Sequence, residues 1–324
     1  MTESGTGIAD WIKVHLTAAR PRTNSLIITI FGDSLRPRCE RIWLGELIAL
    51  LRPFGINERH VRTSVYRLSR AGWLVSQRQG RRSYYGLAPR GWHRFERAYE
   101  RVYTQSRRWD GEWTIALLVQ NESTSGGRAE LRRELEWEGF ASPGSGVFIR
   151  PNDESRVAWS AARRLGLESS IVVLHGQLGD GHPAAAIDRL VSQYWNLGPT
   201  ESDYRWFEDC FRPLEALLAT ARTTDPEQAF VAQTLLIDAF RRATLRDPQL
   251  PPALLPAAWP GPAAHALCRH LYRRLYRATH AHLAGVLEGG VREVPDAVTA
   301  RFGGLQTPAT RGSKARPRAT AFPS

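Results

Sequence analysis

Several absences bound this chain before any motif is sought. No apolar run of roughly 18 residues or more occurs, so no transmembrane helix is expected. The opening stretch, MTESGTGIADWIKVHL, lacks a basic segment followed by an apolar block, and no secretory signal is read there. Cysteine is scarce and odd in number. Cys39, Cys210 and Cys268 stand far apart, which argues against a disulfide framework and a zinc site and fits a reducing cytoplasm. Lysine is scarce beside arginine. No His-x-x-x-His with an attendant Glu, no Gly-rich phosphate loop and no nucleophile elbow is present, so no catalytic residue, metal ligand or cofactor is assigned.

What is present is a globular composition, 42% hydrophobic, in 324 residues, enough for two or three domains. The net charge of +12 is unevenly placed. Residues 1–108 hold 20 Lys and Arg against 8 Asp and Glu, residues 109–300 hold 19 against 24, and residues 301–324 hold 5 against none. A basic first third ahead of a mildly acidic body points to nucleic acid as partner.

The stretch 57–87, NERHVRTSVYRLSRAGWLVSQRQGRRSYYGL, carries the sharpest signal. Asn57 is a helix N-cap and Glu58 suits the first turn. Val61, Val65 and Leu68 form one inward stripe, leaving Arg59, Arg62, Thr63, Tyr66, Arg67 and Arg70 outside. Surface helices ordinarily mix charge signs; here one early Glu faces four Arg, the format of a helix that enters the major groove. Residues 73–78 and 83–87 read as strands of a hairpin whose tip presents Arg78, Arg81 and Arg82 to phosphate or minor groove. Upstream, residues 25–33 read as a helix, with a strand as the competing reading, and Ile42, Leu44, Leu47, Ile48 and Leu51 form a further helical stripe. Downstream, Trp92, Phe95, Tyr99 and Val102 share a face of a linking helix. Together these predict a winged helix-turn-helix over 23–108, preceded by a flexible arm at 1–22.

Residues 109–198 alternate strands (113–119, 146–150, 171–175) with helices (128–138, 153–165, 184–194), which predicts one α+β sheet with helices on one face. Residues 199–300 read as helical, and 301–324 as a disordered basic tail. The cluster from His175 to His182 admits a metal or phosphate contact or an ordinary strand-ending turn, and Asp110 admits a nuclease carboxylate or a turn residue.

Residues 25–85, the block WDGEWT at 109–114 and the later block DPQLP…LLP…WPG at 247–261 resemble the PaaX family of bacterial transcriptional regulators. The likeness runs over about residues 25–290. It implies an α+β protein with an N-terminal winged helix, a ferredoxin-like middle domain and a helical C-terminal domain. It also implies a homodimer on double-stranded DNA, without a membrane, released by an aryl-CoA thioester. Trp195, Arg205, Trp206, Tyr272 and Arg273 are the candidate contacts for such an acyl-CoA effector, aromatics for an aryl group and arginines for phosphate. The expected function is that of a sequence-specific repressor of aromatic, phenylacetate-type catabolism on an inverted-repeat operator, cytoplasmic and nucleoid-associated when bound. The alternative is a metal-dependent nuclease with a basic delivery domain.

Overall fold

The computed structural model describes residues 7–104, 108–119, 125–179, 181, 183–288 and 293–305. The expected polar loop at 121–127 and the tail beyond 305 lie largely or wholly outside these residues, as do Asp180 and His182 of the histidine cluster.

The chain opens on α1 (Ile8–Ala19) and α2 (Thr23–Thr29). The first of these corrects the expected flexible arm. Trp11, Ile12 and His15 are buried, Trp11 Nε1 donates to the Cys210 carbonyl at 3.2 Å, and its ring lies 5.4 Å from that of Phe211. An apolar face on a polar-looking terminus found a partner some 200 residues away, which local composition cannot announce. After α2 the chain widens into one π-helical turn, Ile30–Leu35, which turns Asp33 inward. Such turns cluster at functional sites.

Next come β1 (Arg41–Trp43), α3 (Leu44–Leu51), α4 (Glu58–Arg70), β2 (Leu74–Gln79) and β3 (Arg82–Leu87). The strands form one antiparallel sheet in the order β1-β3-β2, with Ile42 opposite Tyr85 and Ser76 opposite Tyr85 on its other side. Ile42 therefore belongs to a strand rather than to the helix its spacing suggested. Gly80, with φ +59°, fills the first position of the two-residue loop between β2 and β3, where a side chain would be strained. Helix α5 (Pro89–Tyr103) follows.

The middle region runs β4 (Glu112–Leu118), α6 (Ser125–Trp137), β5 (Ala141–Gly144), β6 (Val147–Pro151), α7 (Ser155–Arg164), β7 (Ile171–Gln177) and α8 (Ala184–Tyr194). Its antiparallel sheet has the order β5-β6-β4-β7, the strand order of a split β-α-β plan. Phe148 and Ala116 on one sheet face pack with Leu131, Leu135, Ala158 and Ala161 of α6 and α7. Three long helices close the chain, α9 (Gly198–Thr220), α10 (Pro226–Thr244) and α11 (Gly261–Val286), followed by the short α12 (Asp296–Thr299). None of the described helices is long and apolar enough to cross a membrane.

One apolar core joins the first and last thirds of the chain. Phe31, Leu47, Val61 and Phe95 belong to the same buried cluster as Phe207, Phe230, Phe240 and Leu271. The Phe54 ring meets Phe230 edge-on at 5.9 Å. Each such side chain removed from water is worth about 1.5–3 kcal/mol, so the basic third is fastened to the C-terminal helices by packing rather than tethered to them.

Candidate nucleic-acid interface

Helix α4 starts where Asn57 Oδ1 accepts the His60 N–H at 3.0 Å. Val61, Val65 and Leu68 are buried as their spacing predicts, against the core that includes α2 and α3. Arg59, Arg62, Thr63, Tyr66, Arg67 and Arg70 are all exposed, Tyr66 by 64%. The helix thus presents a basic surface with a protruding aromatic. Within it, Arg62 is already held by Glu58 one turn back, at 2.6 Å from Nη2, and the Thr63 hydroxyl donates to the Arg59 carbonyl at 2.9 Å. His60 is exposed beside them and was not singled out by spacing.

Arg78, Arg81 and Arg82 are exposed at the hairpin end. Arg78 Nε donates to the Gly80 carbonyl at 3.2 Å, which turns that guanidinium along the tip. Arg82 is held differently. Its guanidinium lies 4.5 Å over the Trp43 ring, and Nη1 reaches both carboxylate oxygens of Glu288, at 2.6 and 2.7 Å. The Glu288 N–H in turn donates to Glu46 Oε1, while Glu46 Oε2 accepts the Trp43 N–H at 2.9 Å. The end of α11 is therefore tied to the hairpin and to the start of α3.

Behind this surface lies a buried polar node. Asp33 Oδ1 accepts from Tyr103 Oη at 2.5 Å, Tyr272 Oη at 2.9 Å and Arg301 Nη1 at 2.7 Å. Its Oδ2 accepts from Gln233 Nε2 at 2.8 Å, and Arg301 Nη2 reaches the Asp33 carbonyl at 3.0 Å. Burial, with the neighbouring Asp33 carboxylate, pushes both phenols well above their ordinary pKa, so they stay donors. Arg301, read from sequence as the first residue of a disordered tail, is 2% exposed, and Phe302 and Leu305 are buried beside it. A lone arginine without local periodicity gives no hint of a carboxylate 268 residues earlier.

The five residues chosen for an effector do not converge. Trp195 is buried against Trp113 and donates to the Gly139 carbonyl at 3.0 Å. Arg205 is exposed and pairs with Glu201 at 2.7 Å. Tyr272 belongs to the Asp33 node, and Arg273 donates to the Gly304 carbonyl at 2.6 Å. Trp206 alone borders a large cavity. The aromatics were chosen by type, and most of them are simply core. Asp110 proves a turn residue: its Oδ1 accepts the Glu112 N–H at 2.8 Å. Asp247, in the DPQLP block, is structural too, accepting the Tyr204 hydroxyl at 2.7 Å while burial raises its pKa.

Helix α5 is the junction between regions. Arg101 donates to the carbonyls of Trp137 at 2.5 Å and Leu245 at 3.4 Å, and Arg97 pairs with Glu138. On another side of α5, Phe95, Ala98 and Val102 wall a cavity of about 440 Å³ shared with α2, α6 and α10.

The order of regions along the chain matches known family models throughout. Residues 22–91 match the model for PaaX-like protein, 106–187 that for the PaaX protein central Cas2-like domain, and 195–285 that for the PaaX-like protein C-terminal domain. The chain belongs to the PaaX family. Among PaaX relatives, the transcriptional repressor PaaX of Escherichia coli (strain K12) is 36% identical over 286 residues, covering 87% of this chain and 90% of that protein. An uncharacterized protein, Rv0674 from Mycobacterium tuberculosis, is a solved structure with 28% identity and a TM-score of 0.42 over 72% of this chain and 90% of that one. Within the PaaX model boundaries, α4, the hairpin and Asp33 fall in the first match and Gln233 and Tyr272 in the third. The node therefore joins the first and third matched regions, with Tyr103 and Arg301 added from outside both.

Proposed function

We propose that this protein is a DNA-binding transcriptional repressor of phenylacetate-type catabolism, in which the first third works as a winged helix-turn-helix. The observation that carries this reading is the exposed arginine face of α4 beside the basic hairpin, on a chain similar along most of its length to a transcriptional repressor. Arg59, Arg62, Thr63, Tyr66, Arg67 and Arg70 contact the major groove, and Arg78, Arg81 and Arg82 contact phosphate or the minor groove. The protein acts as a homodimer, so two copies of α4 related by a two-fold axis read an inverted repeat. An aryl-CoA thioester is the releasing effector, as the family resemblance implies, and binding acts by favouring one of two arrangements of the DNA-reading surface.

Titration of a labelled duplex from the protein's own promoter, against a scrambled duplex of equal length, tests the reading. Tighter binding to the promoter duplex, footprinting as two half-sites, and release by phenylacetyl-CoA are expected. Equal binding to both duplexes sinks it.

A further inference from the structure

Two cavities meet at one arginine. The first, of about 440 Å³, is walled by the aromatics Trp73, Phe95, Tyr99, Tyr103 and Trp137 together with aliphatic side chains. The second, of about 670 Å³, is bordered by Arg20, Arg22, Arg242 and Arg246, with Trp206 and His15 forming its aromatic wall. Arg241 and Leu245 border both. One space is thus chiefly aromatic, and the adjoining one sets five arginines against one carboxylate, Asp238.

The charges in these walls are unequally matched. Asp33 is saturated by its four donors, and Glu134 pairs with Arg164 at 3.0 Å. Arg36 pairs with Glu96, and Arg242 and Arg246 share Asp203. Glu130 stands exposed at the rim of the first cavity. Among the described residues, Arg22, Arg133 and Arg241 have no carboxylate oxygen within ion-pair distance. Arg241 Nη1 donates to the Thr29 hydroxyl at 2.7 Å, and that hydroxyl donates to Asp238 at 2.9 Å. Arg241 is half-buried, and its neighbour Asp238 already accepts from the Ser25 and Thr29 hydroxyls. Arg22 and Arg133 are exposed at the rims of the second and the first cavity. Guanidinium groups so placed can take an anionic ligand.

We infer that the two cavities form one bipartite site, in which the aromatic acyl part of a conjugate occupies the first and its phosphorylated carrier lies along the arginines of the second. This rests on the effector reading above and places it, Trp206 apart, at residues the sequence did not indicate. The sizes fit: ligand pockets typically measure about 300–1,000 Å³, so the first cavity holds a single-ring acyl group but not a nucleotide carrier as well. The site also touches what must move. Ile28, Thr29 and Asp33 border the first cavity from α2 and its π-turn, and α2 packs on α4. A ligand that spreads α2 from α10 thereby displaces the helix that carries the arginines.

The test uses the full-length protein on its promoter duplex with phenylacetyl-CoA, phenylacetate and free CoA as probes. Phenylacetyl-CoA is expected to release wild-type protein at far lower concentration than either half alone. Ala98→Trp fills the aromatic cavity and should abolish release while leaving the unliganded affinity for DNA intact. Arg22→Gln, at the mouth of the second cavity, should raise the thioester concentration required by about tenfold, the loss of one charge-assisted contact, and leave the weak response to phenylacetate unchanged. Release of both variants at the wild-type concentration of thioester overturns the site while the effector reading stands. Failure of all three probes to release the wild type removes the effector reading and this site with it. A response to phenylacetate as strong as to the thioester, with no effect of Arg22→Gln, overturns the bipartite arrangement.

Discussion

Arg301 and Asp33 are joined across 268 residues of chain by a 2.7 Å ion pair that is almost wholly buried. The pair closes the molecule, because Asp33 lies in the π-turn that follows α2 and Arg301 belongs to the segment that follows α12.

Removing one partner of this pair should therefore be costly. Arg301→Met leaves the Asp33 carboxylate buried with only neutral donors, and loss of a buried partner typically costs about 3–5 kcal/mol. Urea denaturation should show a loss of that size. The double variant with Asp33→Asn should recover part of it, since the uncompensated charge goes too. A loss below about 1 kcal/mol for Arg301→Met, the range of a surface pair, contradicts the burial described.

Two classes of arginine should separate on DNA. Arg62→Ala is expected to lower affinity for the promoter duplex more than for a scrambled one, by about 1–3 kcal/mol if it reads guanine. Arg81→Ala should weaken both duplexes alike and reduce the slope of log affinity against log salt by about one. An equal loss on both duplexes for Arg62→Ala removes its assignment to base reading.

Both carboxylate oxygens of Glu288 engage Arg82, so on the function proposed above Glu288 competes with DNA phosphate for that guanidinium. Glu288→Gln should free that guanidinium and tighten binding to every duplex a few-fold, most visibly at low salt, where exposed charges are least screened. Gel-shift titration at two salt concentrations measures this. Unchanged or weaker binding would show that the pair does not compete with DNA.

Acid should destabilise the fold through two histidines. Burial lowers His15 and His265 to about 4 each, below their ordinary value of 6.5. The unfolded chain then takes up protons first as pH falls. The stability held by the neutral rings is complete above about pH 6.5 and drains away as pH approaches 4. Thermal melts across that window should fall, and His265→Phe should flatten the decline. A decline identical in the variant assigns it to other groups.

Local signals made α4 legible. Asn57, the Val61–Val65–Leu68 stripe and the glycine between two strand-like runs are all short-range, and the helix and hairpin lie where they predict. Strand β1 stayed hidden because Ile42 fits a helical stripe by spacing, whereas it is fixed by pairing with Tyr85 rather than by its neighbours. Strand β5, with Ser142, Pro143 and Gly144, carries no β-branched residue to mark it. The cavities were illegible for a related reason. Their walls come from α1, α2, α5, α6, α9 and α10, and no spacing along the chain tells a cavity-lining tyrosine such as Tyr99 from a core tyrosine such as Tyr204.

The Glu288–Arg82 contact has a consequence for how messages cross the molecule. Helix α11 carries Tyr272, bonded to Asp33, and ends just before Glu288. Between those two residues the helix is a stiff rod on the order of 20 Å long, at about 1.5 Å per residue. Its two ends therefore shift as a unit. If DNA draws Arg82 away from Glu288 at one end, whatever coupling this creates with a ligand bound beside Asp33 acts with equal size in both directions.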